Sequence, residues 1–136
     1  MQYAVARRGV PAPAALRTWA AGASGVTLRI VGAREALRLN SFFRKKRKAT
    51  NVLSFPYGGG RGDVVLCHPV IALEARAQGK TLAAHYAHLV VHGILHLRGY
   101  DHEKKRDALR MARREIGILR RLGFPDPYAV KSPSLR

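Results

Sequence analysis

Two histidines, His92 and His96, stand four residues apart in the segment His92-Gly93-Ile94-Leu95-His96-Leu97-Arg98-Gly99-Tyr100-Asp101-His102. On a helix that spacing puts both imidazoles on one face, a turn apart, where they can converge on one ion. Gly99 can take the left-handed conformation that ends a helix, after which the chain turns back with His102. Three neutral nitrogen ligands around an open fourth position form the arrangement of catalytic zinc, whose bound water is a usable nucleophile near neutral pH. The expected ligands are therefore His92, His96 and His102 around one Zn2+, with nickel or copper able to take its place. The chain reads as a metal-dependent hydrolase.

The same HxxxHxxGxxH spacing occurs in a clan of zinc proteases that carry Glu directly after the first histidine as general base. Here that position is Gly93. The cage is kept and the peptidase base is lost, which turns the substrate expectation away from peptides. A peptidase without its Glu remains one rival. A non-catalytic RNA- or ribosome-binding factor with a structural metal is the other, and it fits poorly because structural zinc is normally closed by four protein ligands.

The elements that must position these groups follow from periodicity. Residues 2–7, 26–31, 51–56 and 63–67 read as strands, and 13–21, 34–43, 69–78, 81–98 and 103–122 as helices. The glycine-rich stretch 57–62 reads as a flexible connection between two strands, able to move over a cleft. Helix 81–98 is apolar almost all round, hence buried, except for a stripe of His85, His88, His92 and His96. At the helix period these four fall within an arc of about 80°, so the stripe lines a cleft. His85 and His88 read as cleft-wall groups or groups behind the ligands, and His68 as structural. Asp63 and Asp101 are the nearest carboxylates to receive a ligand's second ring proton, and either serves equally as a turn or helix cap, Asp101 as the N-cap of the last helix. On the last helix Ala108, Ala112, Ile116, Leu119 and Leu122 face inward, while Asp107 and Glu115 are interspersed with basic residues on a solvated face.

At 136 residues the chain reads as a single domain, 1–136, with about 124–136 a partly mobile tail. The architecture is α+β, four strands with about five helices and the His-bearing helix lining a metal cleft. No apolar run approaches membrane-span length, the start lacks the apolar core of a secretory signal, and Cys67 is the single cysteine. No membrane partner and a cytoplasmic location are expected. The excess of 25 Lys and Arg over 8 Asp and Glu, a formal charge of +17, suits a polyanionic partner such as RNA or DNA. The basic residues concentrate in Arg44-Lys45-Lys46-Arg47-Lys48 and along the last helix, from Lys104 to Arg121.

These blocks are similar to the YbeY-type bacterial endoribonucleases, which act in ribosomal RNA maturation and ribosome quality control. The segment 92–102 resembles that family's signature. Leu39-Asn40 with Arg44, then Ala49-Thr50-Asn51-Val52-Leu53-Ser54-Phe55-Pro56, resembles its upstream block. Gly62-Asp63-Val64-Val65-Leu66-Cys67 is similar to its next strand, and Asp126-Pro127-Tyr128 to its ending. The resemblance covers about residues 26–128. It implies a compact α+β domain with a small mixed sheet, zinc on His92, His96 and His102, and Arg44 as the essential arginine at the cleft. It further implies single-stranded RNA, ribosomal RNA in particular, as substrate, the ribosomal subunit or its proteins as partners, and no DNA. Two departures bear on loop shape and RNA preference. Lys45 and Arg47 stand where relatives often have Gly and an acidic residue, and the acidic stretch before the glycine-rich connection is shortened to Gly58-Gly59-Gly60-Arg61.

Overall fold

The computed structural model describes residues 1–5, 9–20, 23–44, 50–100 and 105–129. Its elements run β1 (Gln2–Tyr3), α1 (Pro13–Trp19), β2 (Val26–Val31), α2 (Ala33–Arg44), β3 (Val52–Gly58), β4 (Arg61–Cys67), α3 (His68–Gln78), α4 (Leu82–Leu97) and α5 (Lys105–Arg121). The strands form one four-stranded mixed sheet in the order β1-β2-β4-β3. β1 and β4 both run parallel to β2, whereas β3 pairs antiparallel with β4. The α+β architecture expected from the sequence is the one observed.

Strand alternation divides the core in two. Leu28 and Ile30 of β2 and Val64 and Leu66 of β4 point to one face, where they pack with Tyr86, Val90, Ile94 and Leu95 of α4. Their neighbours Val31, Val65 and Cys67 point to the other face and meet Ala36 of α2 and Leu53. α4 is thus the layer laid directly on the sheet, and its far side is left for α5.

The glycine-rich connection is a correction to the sequence reading. β3 and β4 continue into it, pairing Gly58 with Arg61, so it is the tight end of a hairpin. Gly58, Gly59 and Gly60 all take positive φ, which lets backbone pairing extend to the tip without a longer loop. Among the described residues no helix is long and apolar enough to cross a membrane.

Gly93 has a packing reason. A Cβ at this position would stand 2.6 Å from Val64 Cγ1 and 3.3 Å from Ser54 Oγ. Ser54 donates its hydroxyl to the Gly93 carbonyl at 3.2 Å, drawing helix and sheet together. Gly93→Ala should therefore destabilise the fold by about 1–3 kcal/mol through overpacking against the stiff Val64, outweighing a helix-propensity gain of roughly 0.5–1 kcal/mol. A thermal melt at or above the wild-type midpoint would contradict this close approach. The position faces the sheet, so a Glu placed there would meet Val64 before it met the histidine stripe.

Candidate metal centre

α4 is well bounded at both ends, and this fixes where its histidines sit. Thr81 caps the start, its hydroxyl accepting from the Ala84 N–H at 3.0 Å. At the far end Gly99 N–H bonds the His96 carbonyl at 3.0 Å and Tyr100 N–H the Leu95 carbonyl at 3.1 Å. With Gly99 at φ 94° this is a Schellman closure, the turn that the sequence assigned to this glycine. His92 and His96 then lie one turn apart with ring centroids separated by 4.8 Å. Two nitrogens on one tetrahedral zinc stand about 3.3 Å apart, so rings this close fit a shared ion.

Across from the stripe lies a carboxylate. Glu115 of α5 is 0% exposed. Its Oε2 is held by His92 Nδ1. Its Oε1 takes a hydrogen bond from the Tyr128 hydroxyl and lies 3.2 Å from His88 Nε2. Burial pushes the Glu115 pKa up, but the bonds from His88, His92 and Tyr128 and the charge of His92 outweigh it and bring it down to about 2. The carboxylate is therefore ionised at neutral pH. Burial and the bond to Glu115 raise the pKa of Tyr128, keeping it a donor.

The first turns of α4 carry a separate polar group. His85, 3% exposed, bonds Glu74 Oε1 at 2.9 Å, and Asn51 Nδ2 donates to the same oxygen at 3.0 Å. His68 Nδ1 lies 2.7 Å from the Tyr86 hydroxyl, in keeping with a structural role. Burial lowers the pKa of His85 despite the opposing bond to Glu74, with Lys80 and His88 adding to the decrease, and burial alone lowers that of His68. A histidine favoured neutral in the fold binds fewer protons there than in the unfolded chain, so stability should fall as pH drops below about 6.5. Urea midpoints at pH 7.5 and 5.5 test this, and His85→Gln should shrink the difference between them. An unchanged difference would exclude His85 as a source.

The donor set fits a metal in two ways. His88, His92 and Glu115 each bring a ligand atom to within 4.8 Å of one another and could hold an ion themselves. Alternatively Glu115 stands behind His92 through Nδ1, the usual role of a carboxylate that fixes a ligand's tautomer, and ligation uses Nε2. His92 and His96 are both partly exposed, whereas Glu115 is sealed with both oxygens engaged. A substrate could reach an ion on the two histidines far more easily than one on the carboxylate. His102 and Asp101 lie outside the described residues, as does the side chain of Arg44, whose backbone closes α2.

Of the two readings of Asp63, the described contacts show a structural one: it accepts from the Tyr57 hydroxyl on the neighbouring strand. One sequence expectation is corrected. Glu115 is no solvated charge but the most buried acid in the site. The inward seam of α5 runs through Met111, Glu115 and Leu119, one register from Ala108, Ala112 and Ile116, because the apolar side of this helix is wide. The spacing 111, 115, 119 was the available signal: an acid at i, i+4 between two large apolar residues. Of the expected tail over 124–136, Phe124 packs edge-on against Trp19 at 5.9 Å and Tyr128 reaches Glu115. Residues 130–136 lie outside the described part.

Sheet, helices and histidines together define an α+β domain whose buried central helix presents paired imidazoles backed by a carboxylate from the following helix. Residues 12–123 match the family model described as Endoribonuclease YbeY. The endoribonuclease YbeY of Nitrosomonas eutropha is 46% identical, the alignment covering 96% of this chain and 98% of that protein. The protein of the same name from Thiobacillus denitrificans is 47% identical over 94% of this chain and 93% of its own. A solution structure of a Thermotoga maritima protein aligns over 95% of this chain and 98% of that one, with a TM-score of 0.52 and 22% identity, so it speaks to the fold. The chain belongs to the endoribonuclease YbeY family.

Proposed function

We propose that this protein is a zinc-dependent endoribonuclease specific for single strands, acting on ribosomal RNA during its maturation and in ribosome quality control in the cytoplasm. The observation that carries the reading is the His92–His96 pair at 4.8 Å with Glu115 bonded to His92 Nδ1. His92, His96 and His102 would hold the ion, and Glu115 would hold the His92 ring in the orientation that directs Nε2 toward it. A divalent ion there would polarise a phosphoryl oxygen and supply a nucleophile at neutral pH.

The remaining work falls to side chains. Arg44 has the planar guanidinium suited to neutralise charge developing on the scissile phosphodiester. His88 lies next to the ligand pair, its ring centroid 6.2 Å from that of His92, and its bond to Glu115 makes it part of the frame behind the ligands. The peptidase rival loses ground because position 93 faces Val64, away from where a general base would act. With a formal charge of +17, the chain is suited to holding a phosphate backbone on either side of the cleft, and the ribosomal subunit or its proteins are the natural setting for such a substrate.

The test is cleavage of a labelled single-stranded RNA with metal analysis of the same preparation. Near-stoichiometric zinc, and activity that a chelator removes and added zinc restores, are the expected results. Full activity in a preparation shown to be metal-free would overturn the mechanism.

A further inference from the structure

We propose that a trough across the C-terminal end of α4, from the hairpin tip past Arg98 and Tyr100 to Arg110 and Arg113 of α5, seats a second stretch of single-stranded RNA beyond the metal centre. The proposal rests on the RNA reading above and adds a place and a mode of binding.

Three cavities follow one another along this line. The first, about 620 Å³, lies between Ser24, Gly59, Gly60 and Arg98. The second, about 350 Å³, is bounded by Arg98, Tyr100, Asp107 and Arg110. The third, about 510 Å³, is flanked by Lys105, Arg106, Arg110 and Arg113. Arg98 borders both the first and the second and Arg110 both the second and the third, so the three are neighbours along one line. Among the described residues that line them, Asp107 is the single acid.

This charge arrangement works against the helix that carries it. Lys105 and Arg106 share the first turn of α5 with Asp107, two cations against one acid at the end where the helix dipole disfavours cations. Arg106, Arg110 and Arg113 recur at four- and three-residue spacing, so like charges stand over one another on an exposed ridge. A polyanion in the trough would relieve both conflicts. The second feature is a flat platform: the Arg110 guanidinium lies 5.7 Å from the centroid of the half-buried Tyr100 ring. Single-strand binders pair a cationic groove with aromatic and guanidinium faces on which bases stack. An acidic protein segment would use the charges and leave that platform without a purpose, which favours RNA. Arg98 is the C-cap residue of α4, so the trough starts at the end of the helix that carries His92 and His96.

The experiment measures binding of fluorescein-labelled strands of 4 and 14 nucleotides, 2′-O-methylated throughout so that they are not cut, at a series of salt concentrations. The double variant Arg98→Glu/Arg110→Glu should weaken the 14-mer at least about thirtyfold. It should also flatten the log–log salt dependence by more than one unit, as expected for two lost phosphate contacts at roughly 0.7 each. Tyr100→Leu should weaken the 14-mer about tenfold with no change in slope, since a stacking contact releases no counterion. Arg34→Glu/Arg76→Glu makes the same charge change on α2 and α3 and should cost less than threefold. Both Arg98 and Arg110 are exposed, and far-ultraviolet spectra with melting curves check that every variant is folded. Equal losses from the two double variants would reduce the trough to diffuse charge and overturn the proposal, as would an unchanged 14-mer affinity in Arg98→Glu/Arg110→Glu while the wild type still cleaves RNA. A wild-type protein that binds neither strand would take down the RNA reading and this proposal together.

Discussion

His96→Ala is expected to empty the metal centre and lower RNA cleavage by at least about 10³-fold, some 4 kcal/mol of transition-state stabilisation. The melting temperature of the metal-free protein should move by only a few degrees. His96 sits in the last turn of α4 and is partly exposed, so its truncation empties little buried volume. His88→Ala is the informative companion. His88 Nε2 reaches Glu115 at 3.2 Å and Tyr128 at 3.3 Å, so its loss should leave the zinc in place and reduce cleavage less than about tenfold. If the ion instead rests on His88, His92 and Glu115, the two variants exchange behaviours. Metal content and single-turnover rates of both proteins decide the ligand set, and zinc retained at wild-type stoichiometry in His96→Ala would reject the arrangement favoured above.

Glu115 carries the second large effect, and its two substitutions separate stability from metal binding. Glu115→Ala removes the buried acceptor for His92 and Tyr128 and the partner of His88, and leaves their bonds across the α4–α5 seam unmade. Breaking a buried pair on one side typically costs about 3–5 kcal/mol, so this protein should unfold at a much lower denaturant concentration. Glu115→Gln keeps the volume and most of the stability. Its neutral amide presents a donor toward one of the groups that now donate to the carboxylate, so the His92 ring loses its fixed orientation. Zinc affinity in Glu115→Gln should fall about 10- to 100-fold, read by competition with a chelating dye. Wild-type zinc affinity there would mean that Glu115 only fills space. Comparable losses of stability in both variants would show instead that the fold depends on the carboxylate charge itself, since a positioning role predicts that they diverge.

Much of the fold was legible because it is written in local periods. The alternation of residues 26–31 and the helical pattern of 81–98 were read to within a residue or so of β2 and α4. Gly79 at φ 65° and Gly99 at φ 94° ended the helices that their positions suggested. The hairpin tip was not legible as such. Three successive glycines are equally compatible with a loose loop and a tight turn, and only the pairing of β3 with β4 chooses between them. The same limit applied to the acids near the site. Asp63 and Glu115 are both carboxylates within reach in sequence terms, yet one meets Tyr57 and the other His92.

What the sequence determined by itself was the pair of imidazoles on one face of one helix, the glycine that closes that helix, and the absence of a base at position 93. All three are properties of spacing within a single rigid element, where residues four apart must be neighbours. What the tertiary structure decided was everything that stands behind the pair: Glu115, Tyr128, and the need for a bare backbone at Gly93 against Val64. Those contacts join residues from separate elements, and which turn of α5 crosses α4 is set by the packing of Met111 and Leu119 into the core. No spacing along the chain encodes that crossing, so the carboxylate behind His92 became visible only once the helices were stacked.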